Sequence, residues 1–220
     1  YMRVIPGKPT PDFKTVFDFS GDKGYFRSIE NCNGSGDCRK SEIIGGTMCP
    51  TFMATRDEDK TTRGRANVLR EFLYNSEKEN PFDHEEIYDI LDLCISCKAC
   101  KSECPSNVDM AKLKAEFLQH YYDIHGIPLR TKLIAYLPQL NRLAVLFRSF
   151  ANFLMQTSMF KKAVGFAPER SIPMLSKLTL NRWIAPGIPR PDNAKGRVYL
   201  FNDEFTNYNE SDIGIKAILL

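Results

Sequence analysis

Four of the seven cysteines crowd into Cys94, Cys97, Cys100 and Cys104, and Pro105 follows the last of them. Cys-x-x-Cys-x-x-Cys-x-x-x-Cys-Pro is the spacing that binds iron–sulfur clusters: the first three thiolates hold one cluster and the fourth serves a neighbouring one. The spacing has a physical cause. Two-residue gaps let a tight loop wrap three corners of a cubane while backbone N–H groups point at its sulfides, and Pro105 turns the chain so that Cys104 faces elsewhere. Cys-x-x-Cys pairs also build four-cysteine zinc sites, but the third Cys in register and the trailing Pro favour a [4Fe-4S] cluster over zinc.

If Cys104 serves a second cluster, the first needs a thiolate from elsewhere, and the only other Cys-Pro in the chain is Cys49-Pro50. Reciprocal exchange assigns Cys49 to the cluster of Cys94, Cys97 and Cys100. Upstream, Cys32 and Cys38 occupy the first and third positions of a Cys-x-x-Cys-x-x-Cys run, with Ser35 where the second thiol would stand. The partner site is therefore Cys32, Cys38 and Cys104 only. It is a [3Fe-4S] cluster, a [4Fe-4S] cluster completed by Ser35, Asp37 or solvent, or an empty vestige. The ten residues between Cys38 and Cys49, where three are usual, loosen the loop and tilt the balance towards the vestige.

Helices must carry these thiols. Ile87, Ile90, Leu91 and Cys94 recur at i, i+3, i+4 and i+7, so the first thiol continues the apolar face of the helix leading into it. Met110, Leu113, Phe117, Tyr121 and Ile124 form the stripe of a helix leaving the cluster, with Asn107 or Asp109 as its start cap. Thr61 or Thr62 caps a third helix through Tyr74, with Ala66, Leu69 and Leu73 inward. Gly64 in its first turn costs up to about 1 kcal/mol against Ala, which close packing would justify. Phe13, Thr15, Phe17 and Phe19 alternate as in a short strand after an extended arm, Pro6 to Pro11. Arg197 to Asp203 has the pattern of another strand, and Ser211 to Leu220 that of a helix.

The spacing and breaks predict a mainly α chain in four parts. Residues 1–31 are an arm or linker, 32–125 the cluster domain, 126–190 a basic amphipathic helical extension, and 191–220 a truncated α/β stub. His125-Gly126-Ile127-Pro128 marks one boundary, and Ala185 to Pro191, rich in Pro and Gly, marks another. Residues 124–168 carry six basic and no acidic side chains. Within them Leu143, Leu146, Phe147, Phe150, Phe153 and Leu154 form a helical stripe beside Arg142 and Arg148. It suits an interfacial membrane helix or partner-docking helix, or equally a helix buried against another domain.

Hydrophobic residues at 43% are enough for a core, and a net charge of +3 gives neither the field of a typical nucleic-acid binder nor the acidity of a disordered tail. No apolar run approaches the roughly 20 residues of a membrane span. Tyr1-Met2-Arg3 does not read as a signal peptide, so the chain is expected in a reducing, cytoplasmic compartment, with residues 130–165 as a candidate peripheral contact on the inner face of the cell membrane. The start also suggests a piece of a longer polypeptide. His84, His120 and His125 read as solvated helix-surface residues with no role in binding. Arg63 and Arg65 either tune a nearby cluster or dock a partner, or merely open a solvated helix. Lys98 and Lys101, inside the cluster loop, would favour the reduced cluster.

The arrangement of Cys motif, helix pair and second Cys motif resembles the α-helical ferredoxin fold of the iron–sulfur subunits of succinate dehydrogenase and anaerobic glycerol-3-phosphate dehydrogenase. More specifically, Cys32-Asn33-Gly34-Ser35-Gly36-Asp37-Cys38-Arg39, Gly46-Thr47-Met48-Cys49-Pro50-Thr51-Phe52-Met53-Ala54-Thr55 and Thr62-Arg63-Gly64-Arg65-Ala66-Asn67 resemble the iron–sulfur region of FAD-linked D-lactate and D-2-hydroxyglutarate dehydrogenases. Val198 to Leu220, with Phe205-Thr206-Asn207-Tyr208, is similar to the opening of the cysteine-rich, heterodisulfide-reductase-like domain that follows in that family. The resemblance implies an upstream flavin domain in the same parent chain, which alone would hold FAD. It implies an electron relay between that flavin and an acceptor, a quinone or a carrier protein, with no substrate turnover by these 220 residues alone. The alternatives are the separate iron–sulfur subunit of a glycerol-3-phosphate dehydrogenase or heterodisulfide-reductase-type complex and, more distantly, a structural cluster in a nucleic-acid-binding protein. The modest charge speaks against the last.

Overall fold

Helices are the regular elements of the computed structural model, which describes residues 5–188 and 196–220; among these residues there is no strand. The chain divides into two compact units, Tyr1–Gly126 and Ile127–Leu220.

The first unit is built on α1 (Tyr25–Glu30), α2 (Pro50–Thr55), α3 (Thr62–Asn75), α4 (Glu85–Asp92), α5 (Ala99–Glu103) and α6 (Met110–His125). Its core follows the helical stripes. Ala66, Leu69 and Leu73 of α3, Ile87, Ile90 and Leu91 of α4, and Met110, Leu113 and Phe117 of α6 are all buried, with Ile29 of α1 among them. The Thr61 hydroxyl accepts the Gly64 N–H at 2.8 Å and starts α3, and the Asp109 carboxylate accepts the Lys112 N–H at 3.0 Å and starts α6. Gly64 is required by close approach, since a Cβ there would stand 2.6 Å from the Glu58 carbonyl oxygen. The Tyr25 hydroxyl donates to the Leu113 carbonyl at 2.9 Å and pins α1 to α6.

The strand expected over Phe13 to Phe19 is not formed. The fully buried Glu116 carboxylate on α6 accepts the Val16 N–H at 2.8 Å and the Phe17 N–H at 2.9 Å. Backbone donors that a sheet partner would have used are taken by one side chain.

The second unit contains α7 (Leu129–Ala135), α8 (Leu137–Ala144), α9 (Arg148–Gln156), α10 (Ser158–Ala163), α11 (Leu180–Ile184), α12 (Glu204–Tyr208) and α13 (Ser211–Leu219). The basic stretch is thus a series of short helices, with a 3-10 turn at Val145–Phe147 between α8 and α9. Asn152 on α9 pairs with the backbone of Leu175 through both its amide oxygen and its nitrogen, and Gln156 donates to the Ile172 carbonyl. Helices α11, α12 and α13 close on Gly214, where a Cβ would meet Leu180 at 2.5 Å and Thr206 at 2.8 Å.

The strand expected over Arg197 to Asp203 is also not formed, and with it the β part of the anticipated α/β stub is missing. Val198 and Tyr199 are each 96% exposed. A lone extended segment has no edge to pair with, so its backbone stays with water. The expected linker ends, and the stub begins, at Pro189 to Lys195, which lie outside the described residues.

Candidate metal centre

Two helix N-termini point at thiols. At the start of α3 the Thr62 N–H donates to Cys49 Sγ at 3.1 Å, and the Thr62 hydroxyl lies 2.9 Å from the same sulfur. At the start of α6 the Met110 N–H faces the Cys100 thiol and favours its charged form. Unpaired amides at a helix N-terminus, with the positive end of the dipole behind them, favour a negative sulfur. Burial works the other way and raises the Cys100 thiol above its ordinary value, the Met110 N–H partly opposing it.

The loop between α4 and α5 carries Cys94 and Cys97 and leads into Cys100 in the first turn of α5, and it turns by left-handed residues: Ser96 has φ 54° and Lys98 φ 62°, while Cys49 itself has φ 55°. Such conformations cost non-glycine residues about 1–3 kcal/mol each and persist where the surroundings impose them. The Lys114 ammonium on α6 donates to the Cys94 carbonyl at 2.7 Å and the Asp92 carbonyl at 3.2 Å, tying the end of α4 to α6. Nothing in the spacing of the cysteines signals Lys114, which lies beside the apolar stripe of α6.

Cys49, Cys94, Cys97 and Cys100 line one cleft, together with Thr51, Thr62, Arg65, Ile95, Met110 and Ala111. No carboxylate or imidazole lines it. Cys49 and Cys100 are buried, Cys94 is half-buried and Cys97 is exposed. Among the described residues no three Cys, His, Asp or Glu side chains gather as tightly as a single ion requires. The thiols stand instead on the walls of the cleft. A soft, all-thiol donor set edged by backbone N–H groups fits an iron–sulfur cluster. Arg65, 2% exposed, is in the cleft wall rather than in solvent. Its Nε donates to the Ile90 carbonyl at 3.1 Å and its Nη2 to the Thr51 hydroxyl at 3.2 Å. Arg63 is half-buried and pairs with Glu58.

Cys32, Cys38 and Cys104 are buried in the same core but do not line the cleft. Cys38 lies against Cys49. The Cys49 thiol donates to Cys38 and, with the Arg63 N–H and the Thr61 hydroxyl, pulls Cys38 down to about 6 against the effect of burial. Cys49 is correspondingly raised, first by donating to Cys38 and then by burial. Ser35 N–H bonds to the Asn33 side chain at 3.0 Å, a local turn on the protein surface.

Two of the three histidines, His84 and His120, are less solvated than expected, while His125 is exposed as expected. His84 is 8% exposed at the start of α4, bonded to the Ser76 hydroxyl at 3.0 Å, and burial lowers its pKa. His120 stacks on Phe82 with ring centroids 4.1 Å apart and bonds to Glu116. His125 meets Asp83 at 2.7 Å. His120 is drawn inward by Phe82 and His84 by Phe72 of α3, whereas His125 stays exposed beside Asp83.

Residues 28–108 match a 4Fe-4S dicluster domain. That span contains all seven cysteines. The chain is similar to part of the D-2-hydroxyglutarate dehydrogenase of Pseudomonas putida, 25% identical over 86% of this chain and 23% of the relative. It is likewise similar to the D-2-hydroxyglutarate dehydrogenases of Escherichia coli, 25% identical over 69% of this chain and 19% of the relative, and of Pantoea ananatis, 26% over 73% and 19%. The chain thus spans about a fifth of the length of these relatives. No solved structure matches it. No helix among the described residues is long and apolar enough to cross a membrane.

Proposed function

We propose that Cys49, Cys94, Cys97 and Cys100 hold a [4Fe-4S] cluster and that the chain is the electron relay of an FAD-linked 2-hydroxyacid oxidoreductase. One observation carries this: thiols from two distant segments line a single cleft that contains no carboxylate or imidazole. A cluster there supplies one-electron transfer. The chain's own residues fix the sulfurs through the Thr62 and Met110 amides, and the buried Arg65 guanidinium favours the more negative, reduced state. A flavin domain elsewhere in the parent protein takes the hydride from a D-2-hydroxy acid, in line with the names of the relatives, and its electrons leave singly to a quinone or carrier protein. Exposed Cys97, with Lys98 and Lys101 beside it, is the side of the cleft open to such partners.

Cys32, Cys38 and Cys104 form the partner site. Ser35 in place of a thiol favours one cluster, and the match to a dicluster domain favours two. Anaerobic purification with an iron count and EPR separates them, at about four irons per chain against seven or eight. Cys49→Ala is expected to strip or degrade the main cluster and Cys32→Ala to leave it. Loss of the cluster in Cys104→Ala with retention in Cys49→Ala would mean that all four ligands are local.

A peripheral contact with an anionic membrane through residues 130–165 is supported by the exposure of Phe147, Phe150 and Phe153, 68–72% each, on a stretch without acidic residues.

A further inference from the structure

Glu103 belongs to α5, three residues after Cys100 and one before Cys104, yet its carboxylate is spent on the other cysteine segment. Its oxygens accept the Thr47 N–H at 2.8 and 3.0 Å, the Thr47 hydroxyl at 2.5 Å and the Met48 N–H at 3.1 Å. These are the two residues immediately before Cys49. Met48, 2% exposed, is anchored in the core, and Cys49 follows in a left-handed conformation that leaves its side chain little freedom of direction. On the other side of Thr47, Gly46 has φ +88°, and a Cβ there would stand 2.6 Å from a Glu103 carboxylate oxygen. The loop therefore closes on the carboxylate along three consecutive residues.

We propose that Glu103 is a positioning residue for the cluster: its carboxylate clamps Gly46 to Met48 and so delivers the Cys49 sulfur to the cleft that Cys94, Cys97 and Cys100 line. This rests on Cys49 being a cluster ligand, as proposed above. The need for a clamp follows from the chain. The loop from Arg39 to Met48 is long, and Ile43 and Ile44 within it are 88% and 70% exposed, so its middle contributes little packing and its end is held by the burial of Met48 and by the Glu103 bonds. A carboxylate suits the task because it accepts from several donors at once without offering one. The Glu103 carboxylate bonds Thr47 and Met48 rather than a thiol of the main cluster, and it acts through the backbone it holds, as partners around metal ligands do.

The test uses the anaerobically purified protein with its cluster. Glu103→Ala is expected to speed iron loss to a chelator by about ten-fold or more and to alter the EPR signal of the reduced cluster. Glu103→Gln, whose amide oxygen still accepts from Thr47 but whose NH2 opposes the Met48 N–H, should fall between Glu103→Ala and wild type. Glu71→Ala, the same charge change on the exposed face of α3, should behave as wild type. Gly46→Ala, strained by its φ of +88° as well as by the 2.6 Å approach to Glu103, should also speed iron loss, and in the Glu103→Ala background it should add less than it does alone, because only the backbone strain then remains. If Glu103→Ala loses its helical circular dichroism, Glu103→Gln and Gly46→Ala carry the test. Wild-type chelator rates and EPR in the Glu103 variants, with Cys49→Ala cluster-free, would overturn the clamp alone. A cluster retained in Cys49→Ala would overturn the ligand assignment on which it stands.

Discussion

Two apolar stripes of similar make-up are used in opposite ways. Met110, Leu113 and Phe117 on α6 are at most 1% exposed, whereas Leu143, Phe147, Phe150 and Phe153 are 60–72% exposed. Their neighbours differ too. The first stripe meets α1, α3 and α4, and polar groups near it are satisfied inside the unit, as Glu116 is by Val16, Phe17 and His120. The second is flanked by Arg142 and Arg148 and by no acidic residue. Periodicity names the apolar face of a helix; what covers that face is decided by the elements opposite.

The sharpest way to break the comparison is truncation of matched aromatics. Phe117→Ala removes a fully buried ring packed between Phe82 and Tyr121, and should cost about 3–5 kcal/mol in denaturant unfolding. A cost under about 1 kcal/mol would mean that the core of the first unit relaxes into the gap and that the two stripes are not distinct.

Arg65→Met comes next. It leaves the buried Ile90 carbonyl at the end of α4 and the Thr51 hydroxyl without their donor, a loss of about 1–3 kcal/mol. It also withdraws a positive charge from the cleft wall. The reduction potential of the bound cluster should move in the negative direction, read by dithionite titration at fixed pH. An unchanged potential would separate Arg65 from the cluster's electrostatics and leave it a packing residue.

Glu116→Ala tests how the first unit holds its arm. The Val16 and Phe17 amides lose their acceptor, but both residues are exposed, so water can take over and the cost should be smaller, about 1–2 kcal/mol. Faster limited proteolysis between Phe13 and Phe19 than in wild type is the local readout. Unchanged cleavage would show that Phe13 and Phe19, packed on Tyr25, hold the arm without Glu116.

Much of the first unit was legible in the sequence because its signals are local. Thr61 and Asp109 cap α3 and α6, Gly64 sits where close approach demands it, and the buried residues of α3 and α4 fall on their apolar periods. The cysteine spacings likewise named the four thiols that line the cleft. Groups acting across long separations were not legible. Glu116 reaches back a hundred residues to Val16, Glu103 fifty-six to Thr47, and Lys114 twenty to Cys94. A charged residue at a helix position looks the same in sequence whether it faces water or a distant backbone. The alternation in Phe13 to Phe19 and in Arg197 to Asp203 misled for the same reason, since a strand exists only if a second edge meets it.

The smallest effect on stability is expected at Phe150, and there the comparison becomes a question of surface. Phe150→Ala, at 68% exposure, should change unfolding free energy by no more than about 0.5 kcal/mol. A surface that meets lipid would nonetheless lose affinity, because each buried aromatic and each cation contributes to vesicle binding. Wild-type protein should co-sediment with vesicles containing anionic phosphatidylserine at low salt, release as rising salt shortens the Debye length, and bind neutral vesicles poorly. Phe150→Ala and Arg148→Ala should each weaken binding without shifting the unfolding midpoint. No binding to anionic vesicles at low salt would overturn the membrane contact and leave the exposed stripe, which has no acidic residue among its neighbours between residues 124 and 168, to be covered by protein instead.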